Sequence, residues 1–145
     1  MKTGNKSLFK QVGEFNKKFA LPVAGKSSEP HLIPDIVAEY RISFLEEELS
    51  ELKSAYAAND LVEIADALVD IVYVALGTAH FYGLPFDELF EEVHQSNMTK
   101  IRAQHAVESK RNSGLDVIKP NGWRKPDLAI ILHKYIRCNT KLKEN

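Results

Sequence analysis

The sequence predicts an all-α fold: an antiparallel helical bundle completed by oligomerisation, with a short irregular or hairpin segment near the C-terminus. Three observations carry that expectation. Apolar residues recur at helical spacing over most of the chain. Helix starts and stops are punctuated at Pro34-Asp35, Asn59-Asp60 and Gly83-Leu84-Pro85. One stretch, from Leu61 to Phe81, is apolar nearly all round, more surface than two or three partner helices of a 145-residue chain easily cover.

The elements follow in order. Residues 1–34 read as an N-terminal arm, with loop chemistry at Leu21-Pro22, Gly25-Lys26-Ser27-Ser28-Glu29-Pro30 and Pro34. Within it a short helix from Ser7 to Phe19 is expected, with Leu8, Val12, Phe15 and Phe19 at helical spacing. Residues 35–111 hold the long helices. The first starts near Asp35, an N-cap candidate, and runs to about Ala58 with a buried stripe of Leu45, Leu49, Leu52 and Tyr56. Asn59-Asp60 breaks the chain and caps the second, which ends near Tyr82 with Gly83 as its C-cap. Pro85 opens a third that extends past Arg102, with Phe86, Phe90 and Val93 inward and Asn97 and Lys100 on the same stripe. Residues 112–145 are a hairpin and a helix. Val117-Ile118 is a short strand, Asn121-Gly122 a tight turn, and Pro126-Asp127 starts a helix carrying Leu128, Ile131, Leu132 and Tyr135. All of this fits one helical domain over 1–145.

Composition narrows the function. Hydrophobic residues make up 44% and charged residues 27%, a globular balance rather than a disordered one. The longest apolar runs, Ile71–Leu76 and Ala129–Leu132, fall far short of the ~20 residues of a membrane span. The basic N-terminus Met1–Lys6 lacks the apolar stretch of a secretory signal. Cys138 is the single cysteine, so neither an internal disulfide nor a thiolate zinc cluster forms, and a reduced, cytoplasmic protein is expected. Residues 36–99 hold 13 acids against two bases, and residues 100–145 hold 11 bases against four acids. An acidic centre with a basic tail is not the footprint of a nucleic-acid binder. It suits a cation site beside a phosphate site, or two solvated faces.

The acids sit where a core belongs. Glu48 and Glu51 flank the apolar stripe of the first long helix on the edge that carries Val37, Arg41, Phe44 and Ala55, with Glu47 more exposed and Glu46 on the far side. An ordinary charged helix flank is the alternative. On the oily second helix Glu63, Asp66 and Asp70 share one narrow face, and Tyr73 and Gly77 continue it. A buried, unpaired carboxylate costs several kcal/mol, so such groups are paired, protonated or bound to a cation. In an antiparallel hairpin the two sets face each other. All-oxygen, anionic ligation suits Mg²⁺, with Mn²⁺ as a substitute, and a polyphosphate balances the ions. Lys100 and Asn97 offer donors to phosphate oxygens, a salt bridge from Lys100 to the carboxylates being the alternative. A di-iron bundle needs two Glu-x-x-His motifs, and only Glu91-Glu92-Val93-His94 supplies one. No Walker A loop, Gly-x-Ser-x-Gly elbow or His-Glu-x-x-His occurs.

At these residues the chain resembles the all-α nucleoside triphosphate pyrophosphohydrolases, the MazG-like group, and within it the phosphoribosyl-ATP pyrophosphohydrolase-like branch. Glu47-Glu48-Leu49-Ser50-Glu51 is similar to the family's Glu-Glu-x-x-Glu, and Glu63-Ile64-Ala65-Asp66 to its Glu-x-x-Asp. Asp66-Ala67-Leu68-Val69-Asp70-Ile71-Val72-Tyr73-Val74 and Glu92-Val93-His94-Gln95-Ser96-Asn97-Met98-Thr99-Lys100 are typical of that branch. The resemblance runs from about Phe15 to Leu128. The second motif falls on Asp66 or, one turn later, on Asp70, where Ala67 replaces the family glutamate.

The resemblance implies Mg²⁺-dependent cleavage between the α and β phosphates of a nucleotide, giving a monophosphate and pyrophosphate. It also implies a homodimer or dimer of dimers. Glu48, Glu51, Glu63, Asp66 and Asp70 are then the metal ligands, and Glu47 or Glu48 accepts the proton of the attacking water. Asn97, Lys100, Tyr73, Arg41, Lys119 and Trp123 are the substrate-binding candidates. Tyr73, Phe15 and Trp123 offer stacking surfaces, a core role for Trp123 being the alternative, and Lys119, Arg124 and Lys125 add phosphate or subunit contacts. The competing function is a non-catalytic helical module that binds a nucleotide or a divalent ion as a regulator.

Overall fold

The computed structural model describes residues 6–26 and 28–142. Met1–Asn5, Ser27 and Lys143–Asn145, with the parts of the basic N-terminus, the loop and the Lys-rich C-terminus that they carry, lie outside the described residues. Among the described residues there are five α-helices: α1 (Leu8–Lys18), α2 (Asp35–Ala58), α3 (Leu61–Phe81), α4 (Phe86–Met98) and α5 (Leu128–Leu142). A two-stranded antiparallel ladder of β1 (Ile101–Arg102) and β2 (Val117–Ile118) and a 3-10 turn at Ala106–Glu108 complete the described elements. The fold is all-α, as expected. The contacts divide the chain into two compact units, one of residues up to Phe86 with those from Lys134, the other of Asp87–His133.

The first unit is built on a helical hairpin. Asn59 ends α2 in the left-handed region at φ 54°, which asparagine tolerates. Asp60 then caps α3, its carboxylate accepting from the N–H groups of Val62 (3.0 Å) and Glu63 (3.2 Å). A two-residue connection leaves no choice but to fold the helices back on each other. Arg41 reaches Val74 and Thr78, whereas Glu48, two turns later on α2, lies in the field of Asp70, so α2 and α3 run antiparallel. α1 covers the C-terminal half of α3: Phe9 and Val12 pack with Leu76 and Ala79, supported by Ala24, Leu84 and Phe86. The His80 ring stacks on Phe9 at 3.8 Å, its Nδ1 accepting from the Ala24 N–H at 3.0 Å. Gly83, at φ 67°, closes α3 as the sequence predicts.

Several faces differ from expectation. On α1 the buried residues are Phe9, Val12, Gly13 and Asn16, while Leu8, Phe15 and Phe19 are exposed. The helix is rotated to lay Phe9 on His80 and to let the Asn16 amide donate to the Pro22 carbonyl at 2.7 Å. Asp35 is the first helical residue of α2 and Pro34 its cap, with no side-chain cap bond. The buried positions of α2 are Arg41, Glu48 and Ala55, seven apart, and Tyr56 of the expected stripe is 74% exposed, with Leu49 exposed as well. The edge carrying the arginine and the glutamate is the one that meets α3. α3, as expected, carries more apolar surface than the rest of the chain covers. Leu61, Val62, Leu68, Val69 and Val72 are exposed, because α1 covers only its second half.

α4 stops at Met98 instead of passing Arg102. The N–H groups of Thr99 and Lys100 bond back to the carbonyls of Ser96 and Asn97, and the Thr99 hydroxyl donates to the Ser96 carbonyl at 2.7 Å. β-branched Thr99 and Ile101 favour the extended chain that follows. The buried side chains of α4 are Leu89 and Ser96, not Phe90, which is exposed. In the second unit Ile101 pairs with Ile118 and Arg102 with Val117. The Trp123 N–H donates to the Pro120 carbonyl at 3.0 Å, closing the turn expected at Asn121-Gly122, with Gly122 at φ 77°. The Asp127 carboxylate accepts from the Ile130 N–H at 3.3 Å and caps α5, whose Ile131 is buried.

Candidate functional site

α2 delivers Glu48 into the hairpin. It is only 8% exposed, and its Oε2 is buried with no hydrogen-bond partner among the described residues. Burial pushes its pKa up from the ordinary carboxylate value, and the negative charges of Asp70, Glu51, Glu47 and Asp66 push it further. Five of the six predicted acids therefore share one electrostatic neighbourhood. Glu63, at the exposed first turn of α3, is not among the groups that act on Glu48. Asp70 is half-buried, and Glu47, Glu51 and Asp66 are exposed. Among the described residues no three His, Cys, Asp or Glu side chains gather tightly enough to hold an ion, so the acids form a neighbourhood rather than a closed cage. The donor chemistry nonetheless fits a hard divalent cation. An orphaned, buried carboxylate oxygen within the field of further carboxylates is compensated by a proton or by a bound cation.

Arg41 occupies the other end of the same face. It is buried, its Nε donates to the Thr78 hydroxyl (3.1 Å) and an Nη to the Val74 carbonyl (2.9 Å). Its guanidinium stands over the rings of Phe81 (5.1 Å) and Phe44 (5.4 Å), and burial lowers its pKa. Gly77 makes room for it, since a Cβ there would meet an Arg41 nitrogen at 3.0 Å. The structure thus places Arg41 inside the α2–α3 packing rather than on an open surface.

Tyr73, one turn past Asp70, is at the surface and meets Phe15 edge-on at 5.4 Å. Phe19 continues the cluster at 4.7 Å from Phe15, with the Lys18 ammonium over it. The sequence points to Phe15 and Tyr73 as stacking surfaces but misses Phe19 as their partner. Its signal is the Phe15/Phe19 spacing on α1.

In the second unit, Lys119 Nζ stands 4.3 Å and Lys100 Nζ 5.6 Å from the Trp123 ring centroid. The indole N–H donates to the Ser96 carbonyl at 3.0 Å. Asn97 is exposed in the last turn of α4. Arg124 is engaged by Glu92 at 3.0 Å. Sequence reasoning names Lys100, Lys119 and Trp123 separately, and the ladder is what gathers them.

A helical hairpin that holds Glu48 buried in the field of four other carboxylates is the centre of an all-α domain. Residues 12–97 match the family model described as phosphoribosyl-ATP pyrophosphohydrolase, and the chain belongs to that family. The chain is also similar to "Uncharacterized protein L479" of Acanthamoeba polyphaga mimivirus, at 31% identity over 104 residues. That match covers 68% of this chain and 41% of the viral protein, so the chain spans about two fifths of its relative's length. Among the described residues no helix is long and apolar enough to cross a membrane.

Proposed function

We propose that the protein is a Mg²⁺-dependent nucleotide pyrophosphohydrolase that cleaves the α–β phosphoanhydride of a nucleoside triphosphate or related nucleotide, releasing a monophosphate and pyrophosphate. The observation that carries this reading is Glu48: a buried carboxylate with an unpartnered oxygen, held against the charges of Asp70, Glu51, Glu47 and Asp66. Family membership supports nucleotide pyrophosphohydrolase chemistry in general terms.

Glu48, Glu51, Glu63, Asp66 and Asp70 would hold Mg²⁺ or, in its place, Mn²⁺. When bound, the ion supplies charge stabilisation to the phosphoryl group under attack and acidifies water. The chain's own contribution is positioning and proton transfer. Glu47, exposed beside Glu48, is the accessible acceptor for the proton of the attacking water, and Glu48, its pKa raised by burial and by like charges, is the alternative acceptor. Tyr73 and Phe15 offer an aromatic surface to the nucleobase, and the buried Arg41 stiffens the hairpin that carries the acids.

A second copy of the chain completes the bundle as a homodimer or a dimer of dimers. The exposed apolar side chains Leu49, Tyr56, Leu61, Val62, Leu68 and Val69 support it. Sedimentation at micromolar concentration is expected to give a dimer or tetramer; a stable monomer contradicts it. The proposal places the protein in the cytoplasm, with no nucleic-acid or membrane partner. Pyrophosphate release from a panel of standard and modified nucleotides with Mg²⁺ tests the activity. Turnover of at least one member is expected. Saturable nucleotide binding without turnover of any would instead identify a regulatory module.

A further inference from the structure

His80 is buried near the end of α3 and ties three segments of the first unit together. Its Nδ1 accepts from the Ala24 N–H at 3.0 Å, in the loop that follows α1. Its Nε2 meets the Phe9 carbonyl of α1 at 2.9 Å. A carbonyl only accepts, so Nε2 carries the hydrogen and Nδ1 keeps a lone pair. These partners fix the neutral ring in one tautomer. The ring also lies face to face with Phe9, at 3.8 Å and 6°. Gly13 lets α1 come this close, since a Cβ there would meet the ring at 2.9 Å. Phe9 and Gly13 of α1 and the neighbouring Phe81 of α3 carry no charge. From the loop, Glu29 and His31 line the same cavity as His80, and from α2 Arg41 stands over Phe81 at 5.1 Å. Glu29 favours a positive ring, and His31 and Arg41 oppose one. The Ala24 bond, which a protonated Nδ1 cannot accept, decides for the neutral form.

We propose that His80 is a pH-sensitive latch: neutral, it holds α1 and the loop around Ala24 on α3, and protonated, it releases them. A proton on Nδ1 sets two N–H groups against each other and places a cation in a buried site. The Phe9 face attracts a cation, but that attraction does not restore the Ala24 bond. The docked form therefore excludes the proton, whereas an undocked ring in water takes it up below about pH 6.5. Docking is complete above that value and weakens as pH falls below it, by about tenfold per pH unit. The α2–α3 contact through Arg41, Glu48 and Ala55 lies outside the latch, so the opening is confined to α1 and its loop and is read there rather than in the melting of the hairpin. His80 is ten residues past Asp70 on α3, about 15 Å along the helix, which keeps the latch apart from the acids. Release of α1 also parts Phe15 from Tyr73. A resulting loss of nucleotide affinity in acid rests on the pyrophosphohydrolase reading; the latch itself does not.

Amide hydrogen exchange of the full chain without metal, corrected for the intrinsic rate, is followed from pH 7.5 to pH 5. The Ala24 and α1 amides should lose protection by about thirtyfold at pH 5, while amides of the α2–α3 hairpin keep theirs. His80→Asn keeps an acceptor near the Nδ1 position and does not titrate, so its protection should stay flat over the range. Glu29→Gln and His31→Gln should keep the wild-type slope. In the wild type, ring NMR should show His80 taking up its proton together with the loss of Ala24 protection, a measurement that needs no variant to fold. Ala24 protection that is unchanged between pH 7.5 and pH 5 overturns the latch. So does a ring that charges while Ala24 stays protected. A slope that persists in folded His80→Asn, or that vanishes in Glu29→Gln or His31→Gln, assigns the titration to another group and overturns it as well. The experiment uses neither nucleotide nor metal, so its failure leaves the pyrophosphohydrolase reading untouched, and the reverse holds.

Discussion

The two units treat their carboxylates in opposite ways. In the second unit every acid with a shifted pKa is held below the ordinary carboxylate range by its bonds. Glu92 accepts from the Asp127 N–H at 2.9 Å and from Arg124 at 3.0 Å. Glu108 accepts from the N–H groups of Gln104 and His105, at 2.8 and 3.2 Å. Asp116 takes the Ser109 hydroxyl, the Val117 N–H and the Arg111 guanidinium. In the hairpin of the first unit, Glu48 is pushed up by burial and by four like charges, and one of its oxygens has no partner among the described residues. Paired acids tie loops together. An acid kept unpaired among others lowers stability, and a bound cation is the simplest compensation. Charge neutralisations should therefore have opposite consequences in the two places.

The largest effect belongs to the hairpin. Asp66→Asn or Glu51→Gln keeps side-chain shape and removes ligand charge. Pyrophosphate release should drop by roughly 10²-fold or more, as when a group supporting a transition-state metal is lost. Circular dichroism should show a folded chain, because like-charge repulsion has been relieved. Glu46→Gln, exposed on the same helix, should stay near wild type. Full activity in Asp66→Asn would remove the centre of the proposed mechanism, and an equal loss in Glu46→Gln would mean that the α2 face has been misassigned.

Glu48 gives the next effect, and it is read in stability. Its native pKa is raised, so the native state holds a proton that the unfolded chain releases. Stability then falls as pH rises from the ordinary carboxylate range through the Glu48 pKa, and a cation that binds only the native state restores it. Without added metal, Tm should be higher near pH 5 than near pH 8. Millimolar Mg²⁺ or Mn²⁺ should raise it at pH 8 by roughly 5–10 °C if the ion stands a hundredfold over its Kd. Glu48→Gln should flatten the pH slope and shrink the metal shift. A wild-type midpoint that ignores both pH and metal would break the contrast between the units.

Much of this was legible in the sequence, and the part that was not has one physical cause. Local chemistry read correctly: Asp60 as a cap, Asn59 as a break, Gly83 as a helix stop, Val117-Ile118 as a strand and Asn121-Gly122 as a turn. So did the edge of α2 that carries Glu48 beside Arg41 and Ala55. The helix faces misread because periodicity identifies an apolar stripe but not its partner. Leu49 and Tyr56 form a good stripe on α2, yet the intrachain contact with α3 runs through Arg41, Glu48 and Ala55. The apolar residues of α3 do exceed what one chain covers, as the sequence indicates, but their pattern does not say that the uncovered part is the half from Leu61 to Val72. The stop of α4 was hidden because helical Met98 and extended Ile101 both suit an apolar pattern, and the Lys100–Trp123–Lys119 cluster depends on a pairing register that single residues do not encode.

The smallest effect is expected in the second unit. Asp116 binds Ser109 at 2.6 Å, Arg111 through both oxygens at 2.9 Å and its neighbour's N–H at 2.8 Å. Its depressed pKa means that its contribution is present above the unfolded carboxylate pKa and is lost as pH falls through the lower native value. Asp116→Asn removes the charge and keeps one acceptor. Arg111 is largely exposed, so solvent screens the ion pair and the loss at neutral pH should be a slight fall in Tm. As pH falls toward that lower value the difference between variant and wild type should shrink, because wild-type Asp116 begins to take up a proton. Nucleotide turnover should not change at any pH where both proteins are folded. Melting curves from pH 3 to 8 beside a turnover assay check this. If Asp116→Asn raised Tm at neutral pH, as Glu48→Gln is expected to, the acids of the second unit would also be held under repulsion. The difference between the two units would then no longer locate the site.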